Sequence, residues 1–498
     1  MFQRLSNMMR GYQQQPDLPG TPPSPSHSSE PKEEDASASF EVNSTESVCQ
    51  RMVALLEQGT MSDVTLLVGA AQYRVHKVVL CASSDVFQVM LSSPNFSDSR
   101  QSEVRLQEEP AVAAVFPAML RFLYSGRITI THSSVLPTLV LADKYNIKDL
   151  SKACSEFMCE RVVLASQSGL LVSWLQYAIT CNQKPLTEAC VNFVKWNFET
   201  VAISEQFADF DVEVLLFFLQ QDDLVVQDEV TLYNHVVRWL EAQERCQPAE
   251  VMSALVEEVM LHVRFPMMTP RQLAELLLVP LTSRHKDFFV ERMAMGMSFH
   301  SGHWERVREL IRTGRPGRQL FTPRVYTDEQ WSASLVIDNY SRLPPYLTRT
   351  LVFHSPASLS EADRRPPVEW VVDVYPRGVW FRKFYLIVWQ GMTEVPELVL
   401  RTVRLAFMPR SLVDGPLRFR LAVLIDGVTS GVHHVRTVAT RSFLFTEEER
   451  LVNFDDLLSF DELNDSHARS PYLLGKDGDV LRLRVVVVPL HDVCKTAS

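Results

Sequence analysis

Two close pairs of histidines are the residues that could most readily bind a metal ion in this chain. They are His300 with His303, and His433 with His434. The first pair lies in a predicted linker. The second lies in a predicted strand, where neighbouring side chains point to opposite faces of the sheet. Because neither arrangement converges on one ion, we expect no metal site at either pair.

Catalysis would require a nucleophile, a base and an orienting group around one pocket. The sequence contains no G-x-S-x-G element, no phosphate-binding P-loop and no G-x-G-x-x-G loop. The acidic pairs Asp222-Asp223 and Asp455-Asp456 fall at predicted helix starts or loops, where carboxylates usually cap backbone N–H groups. We therefore expect a protein that is not an enzyme and carries no cofactor.

The cysteines give no sign of a disulfide framework. All eight are scattered through the chain, mostly in apolar helical segments, as expected for reduced thiols. Cys154 and Cys159 share one predicted helix but lack the paired spacing of a zinc site. Four asparagines, in contrast, stand in N-x-S/T sequons that could carry glycans in a secreted protein: Asn43, Asn95, Asn339 and Asn464.

Length and charge set further bounds. A chain of 498 residues is too long for one core, which predicts roughly two to four domains. The net charge of −11 argues against a nucleic-acid partner, since phosphate binding needs clustered Lys and Arg. No apolar run approaches the roughly 18 residues of a membrane span, and the N-terminal stretch lacks the apolar core of a signal peptide. We expect a cytoplasmic location, with secretion as the alternative.

The N-terminal residues 1–44 are rich in Pro, Ser, Gln and Glu and have no apolar periodicity. They cannot bury enough surface to offset the entropy of ordering, so we expect a disordered tail. From Thr45 an amphipathic helix is predicted to run as far as Gly59. Its apolar stripe comprises Val48, Met52, Leu55 and Leu56.

The stretch SDVTLLVGAAQYRVHKVVLCASSDVFQVML, at residues 62–91, predicts a hairpin of two strands followed by two short helices. A helix closed by Gly126, a strand at 127–130 and a helical pair joined at Asn146 follow. The order of Asp63, the hairpin, the His76-Lys77 pair and the apolar helix resembles the BTB/POZ domain. FLYSGRITI and VLPTLVLADKYNIKDLSKACSEFM add to this likeness, which covers residues 45–161.

The next region, residues 162–300, is predicted to be purely helical. CVNFVKWNFETV, DDLVVQDEVTLYNHVVRWL and VRFPMMTPRQL occur in it in this order. Together they resemble the BACK domain, the helical region that follows BTB in many adaptor proteins. Residues 301–344, which begin with an Arg-rich run, are predicted to be a linker.

Residues 345–492 switch to a two-residue apolar period. One face is shared by Val368, Trp370, Val372 and Val374, a second by Leu417, Phe419, Leu421, Val423 and Ile425, and a third by Leu481, Leu483, Val485 and Val487. Such strands with no helix between them predict an antiparallel β-sandwich. WVVDVYPRGVW, LRFRLAVLIDG and SPYLLGKDGDVLRLRVVVV resemble the TRAF-like (MATH) sandwich. The expected fold class is multidomain α+β.

The resemblance implies a dimeric adaptor. In the BTB family the helix that corresponds to this chain's first helix packs across a two-fold axis, and the equivalent of Asp63 lies at the dimer interface. The candidate interface residues are therefore Val48, Met52, Leu55 and Asp63.

BTB followed by BACK also implies binding to cullin-3, with the sandwich presenting an unknown client protein for ubiquitylation. The cullin-binding motif of an apolar residue, any residue and Glu corresponds here to Phe96-Ser97-Asp98. Phe96 and Asp98 are the candidate cullin contacts, and Asp98 stands where the motif has Glu.

A second reading follows from the galectin-3-binding-protein-like group of the same family. It implies a secreted or intracellular oligomeric scaffold with no ligase role. The four sequons favour secretion, whereas the predicted lack of a signal peptide and of a disulfide framework opposes it. The sequence leaves both alternatives open.

Overall fold

The computed structural model of the chain describes residues 43–245, 247–313, 317–378, 402–410, 415–463 and 470–490. The predicted disordered tail, residues 1–44, lies outside the described residues except for its last two. The described chain is a multidomain α+β protein, as the sequence predicts.

The N-terminal domain combines six helices with one small sheet. Its elements are α1 (Thr45–Gln58), β1 (Val64–Val68), β2 (Ala71–Val75), α2 (Lys77–Ser83), α3 (Asp85–Ser92), β3 (Glu103–Leu106), α4 (Pro110–Ser125), α5 (Val135–Lys144) and α6 (Lys148–Glu160). β1 lies in the middle of the sheet, antiparallel to β2 and parallel to β3. Alternate residues of β1 are buried, because one face of the sheet packs on the helices.

Local sequence signals account for most of these boundaries. Gly59, Gly69 and Gly126 adopt positive φ angles at the ends of α1, in the β1–β2 turn and at the end of α4. Ser84 caps α3, since its hydroxyl accepts the Phe87 N–H at 3.0 Å. This serine therefore marks the boundary between the two short helices that the sequence predicts.

The strand predicted at residues 127–130 is absent. These residues are not paired with any strand among the described residues, and a turn closed by Thr131 and Ser134 follows directly. Ile128 and Ile130 instead pack partly against the helical core. Apolar residues do alternate in this segment, as in a strand. Among the described residues, however, no neighbouring strand pairs with it.

The middle of the chain is helical as predicted. Its elements are α7 (Val162–Gln167), α8 (Leu171–Thr180), α9 (Lys184–Trp196), α10 (Phe198–Ile203), α11 (Val212–Leu219), α12 (Glu229–Glu244), α13 (Ala249–Met260), α14 (Pro270–Leu276), α15 (Pro280–Arg284), α16 (Lys286–His300) and α17 (Trp304–Thr313), with the short strand β4 (Val225–Val226) before α12. Asp228 caps α12 by accepting the Thr231 N–H at 2.7 Å. Thr269 and Gln272 form a reciprocal capping box at the start of α14.

A carboxylate fixes the N-terminal domain to this helical region. Asp143, near the end of α5, accepts hydrogen bonds from the Tyr177 hydroxyl at 2.8 Å, the Gln183 amide at 2.9 Å and the Ser151 hydroxyl at 2.7 Å. Tyr177 and Gln183 belong to the helical region. Burial, together with hydrogen bonds to Cys181 and Asp143, raises the pKa of Tyr177. The two domains therefore share a polar joint as well as one continuous apolar core.

The C-terminal region consists of two antiparallel sheets around one core. The strands of these sheets are β6 (Ser332–Ile337), β7 (Arg349–Ser355), β8 (Val368–Tyr375), β9 (Thr402–Pro409), β10 (Leu417–Thr429), β11 (Val432–Phe445), β12 (Val452–Ser459), β13 (Leu473–Leu474) and β14 (Val480–Pro489), with a short helix α18 (Phe460–Leu463). The short strand β5 (Val325–Tyr326) precedes them and pairs in parallel with β4 of the helical region. One sheet has the order β11-β10-β14-β13, with β6 also paired to β14, and the other has the order β12-β9-β8-β7.

The predicted inward faces of these strands are buried, which confirms a β-sandwich. Trp370 lies at the centre of the core. Its ring centroid is 4.8 Å from that of Phe419 and 5.2 Å from that of Phe445, both in edge-on contact. Its indole N–H donates to the Ser355 hydroxyl at 2.9 Å, so the buried polar group is satisfied.

Residues 301–344, predicted to be a linker, are structured over much of their described length. They contain α17 and β5, and β6 pairs with β14 over six positions from Leu481↔Ile337 to Val486↔Ser332. The sheets of the sandwich thus begin before residue 345. The prediction failed because β6 is half-buried and its buried and exposed residues alternate only weakly. Its conformation is instead determined by pairing with β14, far along the chain.

The outer face of the β10–β14 sheet is covered by the helical region. Ala422, Leu424, Val486 and Val488 point away from the sandwich core and belong to the helical core instead. Asn197, after α9, makes two hydrogen bonds to the backbone of Val435, at 2.8 Å and 3.0 Å. The sandwich is therefore packed directly on the helices.

A buried ionic cluster lies at this junction. Glu229, at the start of α12, accepts hydrogen bonds from the Arg324 guanidinium at 3.2 Å, the Tyr326 hydroxyl at 2.8 Å and the Arg264 backbone N–H at 2.8 Å. The side chains of Glu229 and Arg324 are both 0% exposed. A charge in such a position must be fully paired, because desolvation alone costs several kcal/mol.

Backbone carbonyls complete the cluster. Arg324 donates to the carbonyls of Gln221 at 2.7 Å and His262 at 3.0 Å, and Arg264 donates to that of Thr322 at 2.6 Å. Burial, reinforced by the nearby Arg324 charge, lowers the pKa of Arg264 to about 10. Burial next to Glu229 raises the pKa of Tyr326 well above its ordinary value. The cluster thereby fastens the start of β5 to the helical region.

Replacing one member of this cluster should be costly. We expect Arg324→Met to lower the free energy of unfolding by about 3–5 kcal/mol, because it leaves the Glu229 carboxylate buried without its ion pair. Urea unfolding followed by tryptophan fluorescence measures the difference.

Lys148→Met is the control, since Lys148 pairs with Asp85 at the surface and its side chain is 76% exposed. That substitution should change the stability by less than about 1 kcal/mol. Equal effects of the two substitutions would show that the buried pair does not stabilise the junction.

Candidate protein-interaction surfaces

Helix α1 presents two different apolar faces. Val53 is its buried residue, and Leu56 also packs against the domain core, where α1 contacts α4. Val48, Met52 and Leu55, spaced by four and three residues, form a separate stripe. Val48 is 46% exposed, and the other two are partly buried. The predicted stripe therefore exists, but Val53, which the stripe does not include, holds the helix on its own domain.

The ends of α1 are fixed in position. The Asn43 side chain accepts the Thr45 N–H at 3.1 Å, and Gly59 ends the helix in the left-handed conformation. Glu57 pairs with Arg121 of α4 at 2.5 Å, and Glu46 pairs with Arg127. Both ion pairs are exposed, so they orient the helix more than they stabilise it.

Asp63 and His76 anchor the hairpin to the helices. The Asp63 carboxylate accepts the N–H of Lys77, the first residue of α2, at 2.8 Å, which places a negative charge at the N-terminus of that helix. Asp63 itself is exposed. Its observed contact is thus a helix cap, and a role at a dimer interface stays a prediction.

The His76 ring is buried between two partners. One ring nitrogen, Nε2, lies 2.8 Å from the Thr60 carbonyl oxygen, which can only accept, so Nε2 carries a hydrogen. Nδ1 lies 2.8 Å from the Tyr124 hydroxyl, which also accepts the His76 backbone N–H. Burial raises the pKa of Tyr124, with a further contribution from the Asp63 charge. His76 therefore joins α1, the hairpin and α4.

The predicted cullin contacts lie on a short loop after α3. Phe96 is 48% exposed and precedes a 3₁₀ turn at Ser97–Arg100, in which the Asp98 carbonyl accepts the Gln101 N–H at 3.2 Å. Asp98 is partly buried. The loop thus presents an aromatic ring to solvent, as a protein-binding loop would require.

Lys77 connects the two predicted surfaces. The sequence analysis did not predict this role for the lysine. Its backbone N–H donates to Asp63, and its ammonium donates to the Ser99 carbonyl at 3.0 Å. The interface candidate Asp63 and the loop that carries Phe96 are therefore held by opposite ends of one residue. The His76-Lys77 pair is recognisable in the sequence. The hydrogen bond from Lys77 to Ser99, 22 residues further along the chain, depends on the tertiary fold and could not be predicted from it.

The sequons occupy different settings. Asn43, Asn95 and Asn339 are all exposed, and Asn339 adopts a left-handed backbone conformation with φ of 54°. Asn464 lies outside the described residues. Asn95 directly precedes Phe96, so any modification there would stand on the loop described above.

Residues with metal-binding potential have other partners. His300 is buried, with Nε2 2.7 Å from the Met268 carbonyl and Nδ1 accepting the Glu361 N–H at 3.4 Å. His434 packs against Phe193, with ring centroids 6.0 Å apart. Within the described ranges, no group of three or more His, Cys, Asp or Glu residues could hold a metal ion. The described cysteines, which exclude Cys246 and Cys494, are free thiols.

No helix in the described part of the chain is long and apolar enough to cross a membrane.

Comparisons with known protein families match three consecutive regions. The BTB/POZ domain matches residues 52–162, the BACK domain (BTB And C-terminal Kelch) matches 171–278, and the BTBD17 TRAF domain matches 321–491. The last range includes β6, in agreement with the pairing of β6 to β14 described above.

Several whole proteins are similar to this chain over much of its length. The chain is 30% identical over 356 residues to BTB/POZ domain-containing protein 17 of Xenopus laevis, covering 69% of this chain and 70% of the relative. It is 31% identical over 350 residues to the Homo sapiens protein, covering 68% of each. Kelch-like protein 7 of Homo sapiens is 28% identical over 270 residues, covering 54% of this chain and 44% of that protein. The chain therefore belongs to the BTB/POZ domain-containing protein 17 family.

Proposed function

We propose that this protein is a dimeric, non-enzymatic interaction adaptor that binds cullin-3 through its BTB domain and holds a client protein on its C-terminal sandwich. Membership of a BTB-BACK adaptor family supports the general class. The observation that carries the proposal is the second apolar face of α1, formed by Val48, Met52 and Leu55. This face is not needed to hold α1 on its own domain, and it suits a second copy of the same helix.

The uncovered sheet of the sandwich supports the client-binding part of the proposal. Val352, Val371 and Met408 lie side by side on the outer face of β7, β8 and β9. Val352 is 50% exposed and Met408 is 39% exposed. Much of the opposite sheet, from Ala422 onwards, is covered by the helical region, whereas this outer face is open to an external protein.

The second candidate is a secreted or intracellular scaffold of the galectin-3-binding-protein type with no ligase role. Two observations favour it: Asp98 replaces the Glu of the cullin-binding motif, and the sequon at Asn95 adjoins the exposed Phe96 ring. A glycan at Asn95 would block this loop. A cytoplasmic location belongs to the adaptor proposal, and glycosylation at Asn43, Asn95, Asn339 and Asn464 belongs to the secreted form.

Charges placed on the α1 stripe should separate the dimer. We expect the double substitution Val48→Lys/Met52→Lys to weaken self-association by at least about a hundredfold, because two unpaired charges would have to be buried at the interface. Light scattering at micromolar concentration measures the mass.

Val251→Lys is the matched control, since Val251 is also an exposed helical valine, at 50%. It should leave the mass unchanged, and far-UV circular dichroism should show native helix content in both variants. An unmutated protein that remains monomeric at micromolar concentration would contradict the proposed interface.

Removal of the exposed ring should abolish recruitment of the ligase. In a pull-down of protein expressed in the cytosol against the cullin-3 N-terminal region, Phe96→Ala should lower binding more than tenfold, as expected for an aromatic hot spot. Asp98→Glu should strengthen binding, because the longer side chain places the carboxylate where the Glu of the cullin-binding motif has it.

Leu278→Ala provides the control, since this leucine is 86% exposed in the helical region, far from the loop in sequence. If the unmutated chain does not bind the cullin-3 region, the result would support the scaffold instead. Removal of a glycan from Asn95 by glycosidase, in protein made by cells, would support it as well.

A further inference from the structure

A cleft of about 510 Å³ lies between the sandwich and the segment that precedes it. One wall is the 3₁₀ turn at Gly317–Phe321 with Thr322 and Pro323. The other is the end of the β10–β11 sheet, where β10 begins and β11 ends. The outer face of this sheet is covered by helices from Ala422 onwards, and the cleft opens where that cover stops.

Three arginines line the cleft, in a chain whose net charge is −11. They are Arg318 from the turn, and Arg418 and Arg420 from the outward face of β10. Asp222 is the acidic residue of the lining. Its carboxylate is already shared, since it lies 2.8 Å from Arg264 and 3.8 Å from Arg420. Positive charge therefore exceeds negative charge in the cleft.

The innermost arginine is held in place. Arg420 donates to the backbone carbonyls of Asp222 at 2.8 Å and Pro323 at 2.5 Å, which fixes its guanidinium between the two walls. Arg318 and Arg418, in contrast, are exposed, and neither side chain forms an ion pair within the part of the chain that the structure describes. Two available guanidinium groups thus face a third that is immobilised.

An apolar side chain adjoins these charges. Leu444 is the register partner of Arg418 on the neighbouring edge strand β11, and it is 44% exposed. Leu444 lies beside the cleft, whereas Ser442, the partner of Arg420, and Leu490 line it. A free inorganic anion would use the arginines alone, whereas a peptide could use both the arginines and the leucine side chains.

We propose that this cleft binds a peptide segment of a partner protein through an oxyanion side chain, a phosphoserine or a carboxylate, flanked by apolar residues. Guanidinium groups bind such oxyanions through paired, charge-assisted hydrogen bonds. The inference does not rest on the proposed dimerisation or on cullin-3 binding, because the cleft is formed by segments outside the BTB domain.

The test is a fluorescence anisotropy titration of the full chain with a labelled nonapeptide that carries one phosphoserine between leucines. Matched probes are the same peptide with glutamate or with unmodified serine at that position, and inorganic phosphate as a competitor. The protein variants are Arg318→Gln/Arg418→Gln and, as a control, Arg349→Gln, which alters an exposed arginine on β7.

We expect the phosphoserine and glutamate peptides to bind the unmutated chain and the Arg349→Gln variant equally well. Affinity for the double variant should fall at least about tenfold, since two charge-assisted contacts are lost. Affinity should also fall as salt is raised. The proposal would be overturned if these peptides fail to bind at millimolar concentration or bind no better than the serine peptide. Unchanged affinity for the double variant would also overturn it, as would displacement of the peptides by an equal concentration of inorganic phosphate.

Discussion

The carboxylate of Glu229 accepts hydrogen bonds from the Arg324 guanidinium and from the Arg264 backbone N–H, and the side chains of all three residues are buried. One carboxylate cannot neutralise two guanidinium groups, so the backbone carbonyls of Gln221, His262 and Thr322 supply the remaining acceptors, and the partly exposed Asp222 pairs with Arg264. Such a set is stable only when every member is in place, because each unpaired buried charge costs several kcal/mol. The segment that leads into the sandwich is therefore held against the helical region.

This constraint has consequences at both ends of the molecule. Arg324 directly precedes β5 and the sandwich, so the cluster sets where the β10–β14 sheet meets the helices. At the other end, Asp143 joins the BTB domain to the same helices through Tyr177 and Gln183. A surface on α1 and a surface on β8 are thus connected through packed cores and hydrogen-bonded polar joints. An adaptor built in this way would present its client at a fixed position relative to a dimer axis.

The sequence predicted what local periodicity and capping determine. Alternating apolar residues located the inward faces of β8, β10 and β14, and glycines located the ends of α1 and α4. Packing between distant segments was not predictable in the same way. Arg324 lies in the predicted linker, and Glu229 lies in DDLVVQDEVTLYNHVVRWL, one of the motifs of the predicted helical region. Only their contact across 95 residues shows that both are buried. For the candidate surfaces, the stripe on α1 was found from its spacing, but the role of Lys77 depends on the tertiary fold.

The helical region and the sandwich are packed together as one structural unit. Native-state hydrogen exchange at increasing urea concentration tests this arrangement most directly, because it reports the opening of each segment separately. The backbone amides of α12 and of β14 should lose protection with the same urea dependence, as members of one cooperative unit. Exchange of the β14 amides at low urea, while the α12 amides remain protected, would show that the sandwich opens independently. That result would contradict a single structural unit.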